Sequence, residues 1–136
     1  MDLLVNIDVS DLDRAIAFYT SAFDLKVSRR FAADGVELAG GSAPIYLLVK
    51  AAGSLASPQS EQVRDYRRHW TPVHLDVVVD DVERAVQRAL DAGAVLEKPV
   101  RSSTWGKLAL MADPFGNGFC LVQFVGKGYD EIATPP

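Results

Sequence analysis

The hydrophobic and polar positions of this chain follow the same order twice. Residues 71–99 first read as a β-strand over His74–Val79 and then place apolar side chains every three or four residues, which is typical of an amphipathic helix. Asp80 and Glu83 have the spacing of a capping box and predict where this helix begins, and Gly93 predicts where it ends. The same order occurs 70 positions earlier, where the identical residues are Val9, Asp11, Arg14 and Ala15. We therefore expect an internal duplication.

The duplication predicts two β-α-β-β-β units and an α+β fold class. The first unit covers residues 1–50, a linker covers 51–70, the second unit covers 71–125 and a polar tail covers 126–136. The elements expected in the first unit are strands at Leu3–Val9, Leu25–Phe31, Val36–Leu38 and Ile45–Lys50, and a helix at Asp11–Phe23 capped by Ser10 and Asp13. The strands expected in the second unit are His74–Val79, Val95–Arg101, Trp105–Met111 and Phe119–Val125, with a turn at Ser102 and Ser103.

The linker differs from both units in composition. Small and polar residues up to Ser60 predict a flexible surface stretch, and Gln62–Trp70 is compatible with a short helical turn. At its end, His69 and Trp70 belong either to a loop that closes over a neighbouring unit or to one that only docks there. The tail after Gly126 is expected to be frayed or docked on the surface.

Composition excludes several classes of function. A chain of 136 residues with 49% hydrophobic content forms one ordinary domain, or two small repeats that share a core. Its apolar runs are too short to span a membrane, and the start has no signal-peptide pattern. Acidic and basic residues are interspersed at a net charge of −4, so we expect no nucleic-acid partner. The single cysteine suits a reducing compartment, and we expect a cytoplasmic protein.

Two segments carry a resemblance to a known superfamily. The segment DLDRAIAFY follows the first strand, and DPFGN precedes the last one. Together with the duplication, they resemble the hallmark segments of the vicinal oxygen chelate superfamily, which includes glyoxalases, bleomycin-resistance proteins and extradiol dioxygenases. The resemblance covers about Leu3–Val125. It implies two tandem units whose strands form a cupped mixed sheet, with helices outside and a metal or ligand inside the cup.

The resemblance also implies four positions at which metal-dependent relatives place their ligands, on the first and last strands of each unit. In this chain these positions hold Leu4, Tyr46, His74 and Cys120. Leu4 has no donor atom, and His74 with Cys120 would supply two ligands where catalytic zinc normally has three. We therefore expect no cofactor, with a divalent metal as the alternative.

Alternation along the strands predicts which side chains line the cup. His74 is either a structural residue or a ligand contact, and Tyr46 either stacks on an organic molecule or fills space. Trp105 either covers a flat ligand or packs in the core, and Cys120 is expected to be a small buried residue with a protonated thiol. No catalytic residue is identified. The candidate ligand-binding residues are His74, Tyr46, Trp105, Cys120, Asn6, Asp76 and Phe124.

Three functions are compatible with this lining. The leading one is a bleomycin-resistance-like protein that binds a small organic molecule or drug without a metal. The alternatives are a metal-dependent lyase, isomerase or dioxygenase, and an enzyme that uses polar cup residues without a metal. The resemblance also implies a homodimer in which both protomers build each cup. A linker of about twenty residues reaches about 25 Å, which permits pairing of units within the chain or between chains.

Overall fold

The computed structural model describes residues 1–136 and contains two β-α-β-β-β units. The first unit consists of β1 Val5–Val9, α1 Leu12–Phe23, β2 Lys26–Phe31, β3 Gly35–Ala39 and β4 Ile45–Val49. The second consists of β5 Leu75–Val78, α2 Val82–Ala92, β6 Val95–Leu96, β7 Arg101–Ser103, β8 Gly106–Ala112 and β9 Gly118–Phe124. A short 3₁₀ turn, Gly128–Glu131, follows in the tail. The predicted α+β class and the order of elements in the first unit are confirmed, whereas the second unit has one strand more than predicted.

Each unit forms its own mixed sheet. The order in the first sheet is β1-β4-β3-β2, and that in the second is β5-β9-β8-β6, with β7 also paired to β8. The first strand of each unit runs parallel to the last one, and the other pairs are antiparallel. As a result, β1 and β5 each lie at the edge of a sheet, with one side unpaired within the chain.

Both helices begin one residue later than the predicted caps require. Asp11 and Asp81 have extended backbones, and the side chain of each accepts a hydrogen bond of 3.0 Å from the backbone N–H three residues on. The predicted capping box of Asp80 and Glu83 is therefore wrong, as is the equivalent pair Ser10 and Asp13. The identical aspartates of the duplication are the caps.

One hydrophobic core joins the two units. Helices α1 and α2 contact each other, and Arg88 of α2 donates a hydrogen bond of 2.6 Å to the carbonyl oxygen of Ser21 at the end of α1. Phe18 and Phe23 of α1 reach across to Phe119 of the second sheet, and the Phe23 and Phe119 ring centroids are 5.4 Å apart. Neither helix has the length and apolar character needed to cross a membrane.

The strand predicted over Val95–Arg101 is divided in two. β6 ends at Leu96, and β7 begins at Arg101 after a stretch that contains Pro99, which has no backbone N–H for a sheet. The predicted turn at Ser102 and Ser103 is wrong because both residues are paired in β7. The chain turns one step later, at Thr104 and Trp105.

The linker is a structured loop rather than a helical turn. Leu55 and Val63 form an isolated antiparallel bridge, and backbone hydrogen bonds of 2.8 Å join Gly53 and Ser54 to Arg64. The short helical turn with which Gln62–Trp70 is compatible does not form, because backbone groups pair across the loop instead. The Arg64 guanidinium also donates to the Asp8 carboxylate at 2.6 Å, which ties the loop to β1.

Candidate functional site

A cavity of about 140 Å³ opens on the face of the second sheet that lies away from the core. Residues of β8 and β9, together with His74 just before β5, form its floor, and Arg68, Trp70 and Thr71 at the end of the linker form one wall. The side chains that matter for its chemistry are Trp70, Thr71, His74, Leu110 and Cys120.

The strand register explains why these side chains meet. Cys120 pairs with Asp76 of β5 on one side and with Leu110 of β8 on the other, so the three share one face of the sheet. Their sequence neighbours point the other way: Leu121 is 1% exposed in the core, and Val77 packs against the same core. Alternation therefore separates a core face from a face that is available for binding.

His74, Asp76 and Cys120 form a compact cluster at the cavity. The ring nitrogen Nε2 of His74 is 3.2 Å from Oδ1 of Asp76, and one ligand-type atom from each of the three residues lies within 4.8 Å of the others. Burial raises the pKa of the Cys120 thiol to about 11, and the charge of Asp76 and a hydrogen bond to its carboxylate act in the same direction. The thiol is therefore protonated near neutral pH and is a poor nucleophile.

The four positions implied by the resemblance do not fit a metal site. Leu4 is 58% exposed and has no donor atom. The Tyr46 hydroxyl donates a hydrogen bond of 2.5 Å to the Glu37 carboxylate on the first sheet. The ligand set that the second unit does offer is imidazole, carboxylate and thiol from His74, Asp76 and Cys120, a combination that suits zinc once the thiol loses its proton.

Several contacts with the second unit hold the wall formed by residues 68–71. The Arg68 guanidinium donates two hydrogen bonds to the Glu97 carboxylate, at 2.8 and 2.9 Å. The backbone N–H of His69 donates to the Gly116 carbonyl oxygen at 3.2 Å. These contacts position Trp70 at the cavity, where its side chain is left 81% exposed.

The DPFGN segment provides the seat for this wall. Asp113 is 4% exposed and accepts hydrogen bonds from the backbone N–H groups of Phe115 and Asn117, which close the turn. It also accepts a bond of 2.6 Å from the Tyr19 hydroxyl of α1, and burial together with the Asp113 charge raises the pKa of Tyr19 well above its usual value. A Cβ atom on Gly116 would lie 2.1 Å from the Arg67 carbonyl oxygen, so only glycine lets residues 67–68 approach this turn.

The structure separates the sequence-predicted ligand-binding residues into three groups. His74, Asp76 and Cys120 come together at the cavity. Tyr46 and Asn6 are register partners on the first sheet. Trp105 and Phe124 pack with Tyr129 of the tail, with ring centroids 5.0 Å apart for Trp105–Tyr129 and 4.8 Å for Phe124–Tyr129, so the tail is docked there.

Most of the residues that line the cavity were not among the sequence-predicted ligand-binding residues, among them Arg68, Glu97 and Leu110. Leu110 had a usable signal, because its position in the last hairpin fixes it opposite Cys120. Arg68 and Glu97 had none, since they are 29 residues apart along the chain and meet only when the linker folds back.

The first sheet carries a second polar cluster on its exposed face. Arg29 donates from both Nε and Nη2 to Oε2 of Glu37, with an Nε–Oε2 distance of 3.1 Å, and Tyr46 donates to the same carboxylate. Hydrogen bonds from Arg29 and then Tyr46 lower the pKa of Glu37 to about 2. In turn, the hydrogen bond to Glu37 raises the pKa of Tyr46. This carboxylate is therefore a fixed anion.

Comparison with known proteins identifies relatives of this chain. The family model described as "Glyoxalase-like domain" matches residues 4–122. An uncharacterised protein of Mycobacterium bovis is 32% identical over 138 aligned positions, which cover 91% of this chain and 84% of that protein. An uncharacterised protein of Mycobacterium tuberculosis is also 32% identical over 138 aligned positions, which cover 91% of this chain and 75% of that protein.

Solved structures share the fold. A glyoxalase/bleomycin resistance protein/dioxygenase family enzyme from Burkholderia phytofirmans aligns with a TM-score of 0.72 at 24% identity, over 92% of this chain and 100% of that one. A lactoylglutathione lyase from Agrobacterium tumefaciens aligns with a TM-score of 0.63 at 18% identity, over 90% and 92%. At these identities the likeness concerns the fold and not the activity.

Proposed function

Since the chain belongs to the glyoxalase-like domain family, with the fold of the vicinal oxygen chelate superfamily, we propose that it binds a small organic molecule in the cavity of its second unit, without a metal. The observation that carries the proposal is Trp70, which lines this cavity and is 81% exposed. A largely exposed tryptophan gains binding energy when a ligand covers it, because aromatic side chains bury a large apolar area.

The cavity chemistry favours a small, mostly apolar molecule with one polar group. Leu110 is 37% exposed there and supplies an aliphatic surface beside the Trp70 indole. His74 keeps its Nδ1 free for a ligand, because only Nε2 faces Asp76. The volume of about 140 Å³ is below that of a typical drug site, so the cavity encloses a small molecule or one end of a larger one.

The chain contains two tryptophans, which allows a matched fluorescence experiment. In the Trp105→Phe variant only Trp70 emits, and in the Trp70→Phe variant only Trp105 emits. A panel of small aromatic alcohols, amides and acids is titrated into both. We expect saturable changes in the Trp70 signal and a flat Trp105 signal, because Trp105 is packed against Phe124 and Tyr129.

A second variant tests the polar contact. His74→Ala is expected to weaken binding by about 1–3 kcal/mol, as for an interface anchor. Ile132→Ala, which changes an exposed aliphatic residue of the tail, is the control. The proposal fails if the bound compounds change the Trp105 signal instead, or if His74→Ala binds as tightly as the unchanged protein. Native mass spectrometry of the purified chain identifies any molecule that it already carries.

The alternative is a metal-dependent enzyme of the glyoxalase type, and one observation favours it. His74, Asp76 and Cys120 are three possible ligands within 4.8 Å of one another, where the sequence suggested only two. A metal held by these three residues would act as a Lewis acid on a ligand oxygen. The metal content of the protein discriminates between the two functions.

A further inference from the structure

The first sheet contains a β-bulge that changes which side chains share a face. Val27 pairs with Leu38, but the next pair is Arg29 with Glu37, so Ser28 is an extra residue in β2. Without the register shift, Ser28 would pair with Glu37 and Arg29 would lie opposite Val36, on the core side. Bulges are frequent next to functional sites, where they redirect a side chain.

The bulge assembles two rows of side chains across the exposed face of the first sheet. The register places Arg29, Glu37, Tyr46 and Asn6 side by side in the first row. It places Phe31, Gly35, Leu48 and Asp8 side by side in the second row. The first row is charged and polar, whereas the second begins with an aromatic and an aliphatic side chain around a glycine.

Two side chains of these rows have unused binding capacity. The Arg29 guanidinium uses Nε and Nη2 for Glu37 and Tyr46, but its Nη1 makes no hydrogen bond in the chain, and the side chain is 64% exposed. The Phe31 ring stacks on Tyr46, with centroids 6.1 Å apart and planes inclined by 25°, yet Phe31 remains 42% exposed. Residues two apart on one face of a strand are separated by about 7 Å, a distance that an arylcarboxylate can bridge.

We propose that this face is a second binding surface, distinct from the cavity of the second unit, which takes a planar aromatic ring that bears a carboxylate. The ring packs on Phe31 and Tyr46, and the carboxylate accepts hydrogen bonds from Nη1 of Arg29. Strand β2 favours an anion on this face, because Lys26 shares the face with Arg29: it pairs with Ala39, two residues from Glu37 on β3. Glu37 does not compete for the free N–H groups, since it is held on the other edge of the guanidinium.

Benzoate is the probe, and two matched compounds separate the contributions of its parts. Benzamide keeps the ring without the charge, and cyclohexanecarboxylate keeps the charge without the aromatic ring. Nuclear magnetic resonance follows the Arg29 side-chain N–H signal and the ring signals of Phe31 and Tyr46. We expect benzoate to shift these signals saturably, and each matched compound to bind roughly three- to tenfold more weakly.

Variants on neighbouring positions complete the test. Arg29→Gln is expected to weaken benzoate binding by a similar factor, whereas Arg30→Gln leaves it unchanged because Arg30 pairs with Val36 and lies on the opposite face. If Arg29→Gln unfolds because Glu37 loses its partner, the Arg29→Gln/Glu37→Gln double variant is used instead. The inference is overturned if both arginine positions respond equally, or if benzoate shifts only the signals of Trp70 and His74. The latter result would leave the cavity function standing.

Discussion

Cys120 and Asp76 lie directly opposite each other in the parallel pairing of β9 and β5. This relationship holds a carboxylate against a thiol that is only 4% exposed. Both burial and the negative charge raise the pKa of Cys120, to about 11 from an ordinary value of 9.0. The same pairing places Asp76 and Cys120 next to each other in the cluster that they form with His74. The strand register therefore determines both the geometry of this cluster and the protonation state of the Cys120 thiol.

We expect Cys120 to react slowly with iodoacetamide near neutral pH, because alkylation requires the thiolate. Asp76→Asn removes the negative charge, so it should lower the pKa of the thiol and accelerate alkylation by about tenfold. Asp80→Asn, which changes an exposed carboxylate outside the cluster, is the control. Mass spectrometry measures the rates. Equal rates in Asp76→Asn and the unchanged protein would show that the carboxylate does not influence the thiol.

Metal content is the second test. We expect no stoichiometric zinc, nickel, iron or manganese in untagged protein after dialysis, because Leu4 offers no donor and the Tyr46 hydroxyl is bonded to Glu37. Elemental analysis per chain measures this directly. One tightly held ion, lost in both His74→Ala and Asp76→Asn, would overturn the metal-free function and establish the alternative.

The Glu37 cluster predicts a stability that depends on acid pH. The folded-state pKa of Glu37 is about 2, below its ordinary value of 4.5, so the unfolded chain takes up the proton first as the pH falls. The stabilisation is therefore complete above about 4.5 and is lost progressively toward about 2. Urea unfolding across this range should show a shallower decline for Glu37→Gln than for the exposed control Glu61→Gln. Identical slopes in the two variants would contradict this account.

Gly116 is expected to be the least replaceable glycine of the second unit. Its φ is 81°, and a Cβ there would lie 2.1 Å from the Arg67 carbonyl oxygen, so Gly116→Ala must displace the wall of the cavity. We expect a loss of about 2–4 kcal/mol in the free energy of unfolding. Gly41→Ala is the matched control, since its added Cβ would meet only ordinary contacts, the nearest at 3.6 Å. Similar losses in both variants would contradict a special role for Gly116.

The fold was predictable because the same order of hydrophobic and polar positions occurs twice in the chain. The repeated pattern placed both helices and both strand sets, although the caps are Asp11 and Asp81 rather than the predicted Ser10 and Asp80. The errors arose where the residue pattern fits two conformations equally well and backbone hydrogen bonds decide between them. Ser102 and Ser103 are typical turn residues, but the pairing of β7 with β8 takes them into a strand.

The site was only partly predictable. The resemblance identified His74 and Cys120, and alternation added Asp76, which the register of β5 with β9 places beside Cys120. Alternation could not show which of the two tryptophans, Trp70 or Trp105, lies at the cavity. Trp105 is covered by Tyr129 of the tail, whereas Trp70 is placed by Arg68 and Glu97, and both arrangements depend on contacts between distant parts of the chain.

The unpaired edges of β1 and β5 bear on assembly. Exposed aliphatic residues lie along or just before both strands: Leu3 is 71% exposed, Val73 75% and Val78 61%. An unpaired edge with apolar side chains favours association with another strand. The duplication allows a closed two-fold dimer. In it, β1 of one protomer can contact β5 of its partner, and β5 of the same protomer can contact β1 of the partner.

We therefore expect a two-fold homodimer at micromolar concentration, with β1 and β5 close to the interface. Light scattering should return twice the chain mass of 14.8 kDa. Val78→Glu places a charge on the proposed interface and should shift the equilibrium toward monomer, because a buried unpaired carboxylate costs several kcal/mol. Ile132→Glu, at a tail residue that is 57% exposed, should leave the mass unchanged. A monomer mass for the unchanged protein across the micromolar range would contradict the dimer prediction. Each binding surface would then have to be formed by a single chain.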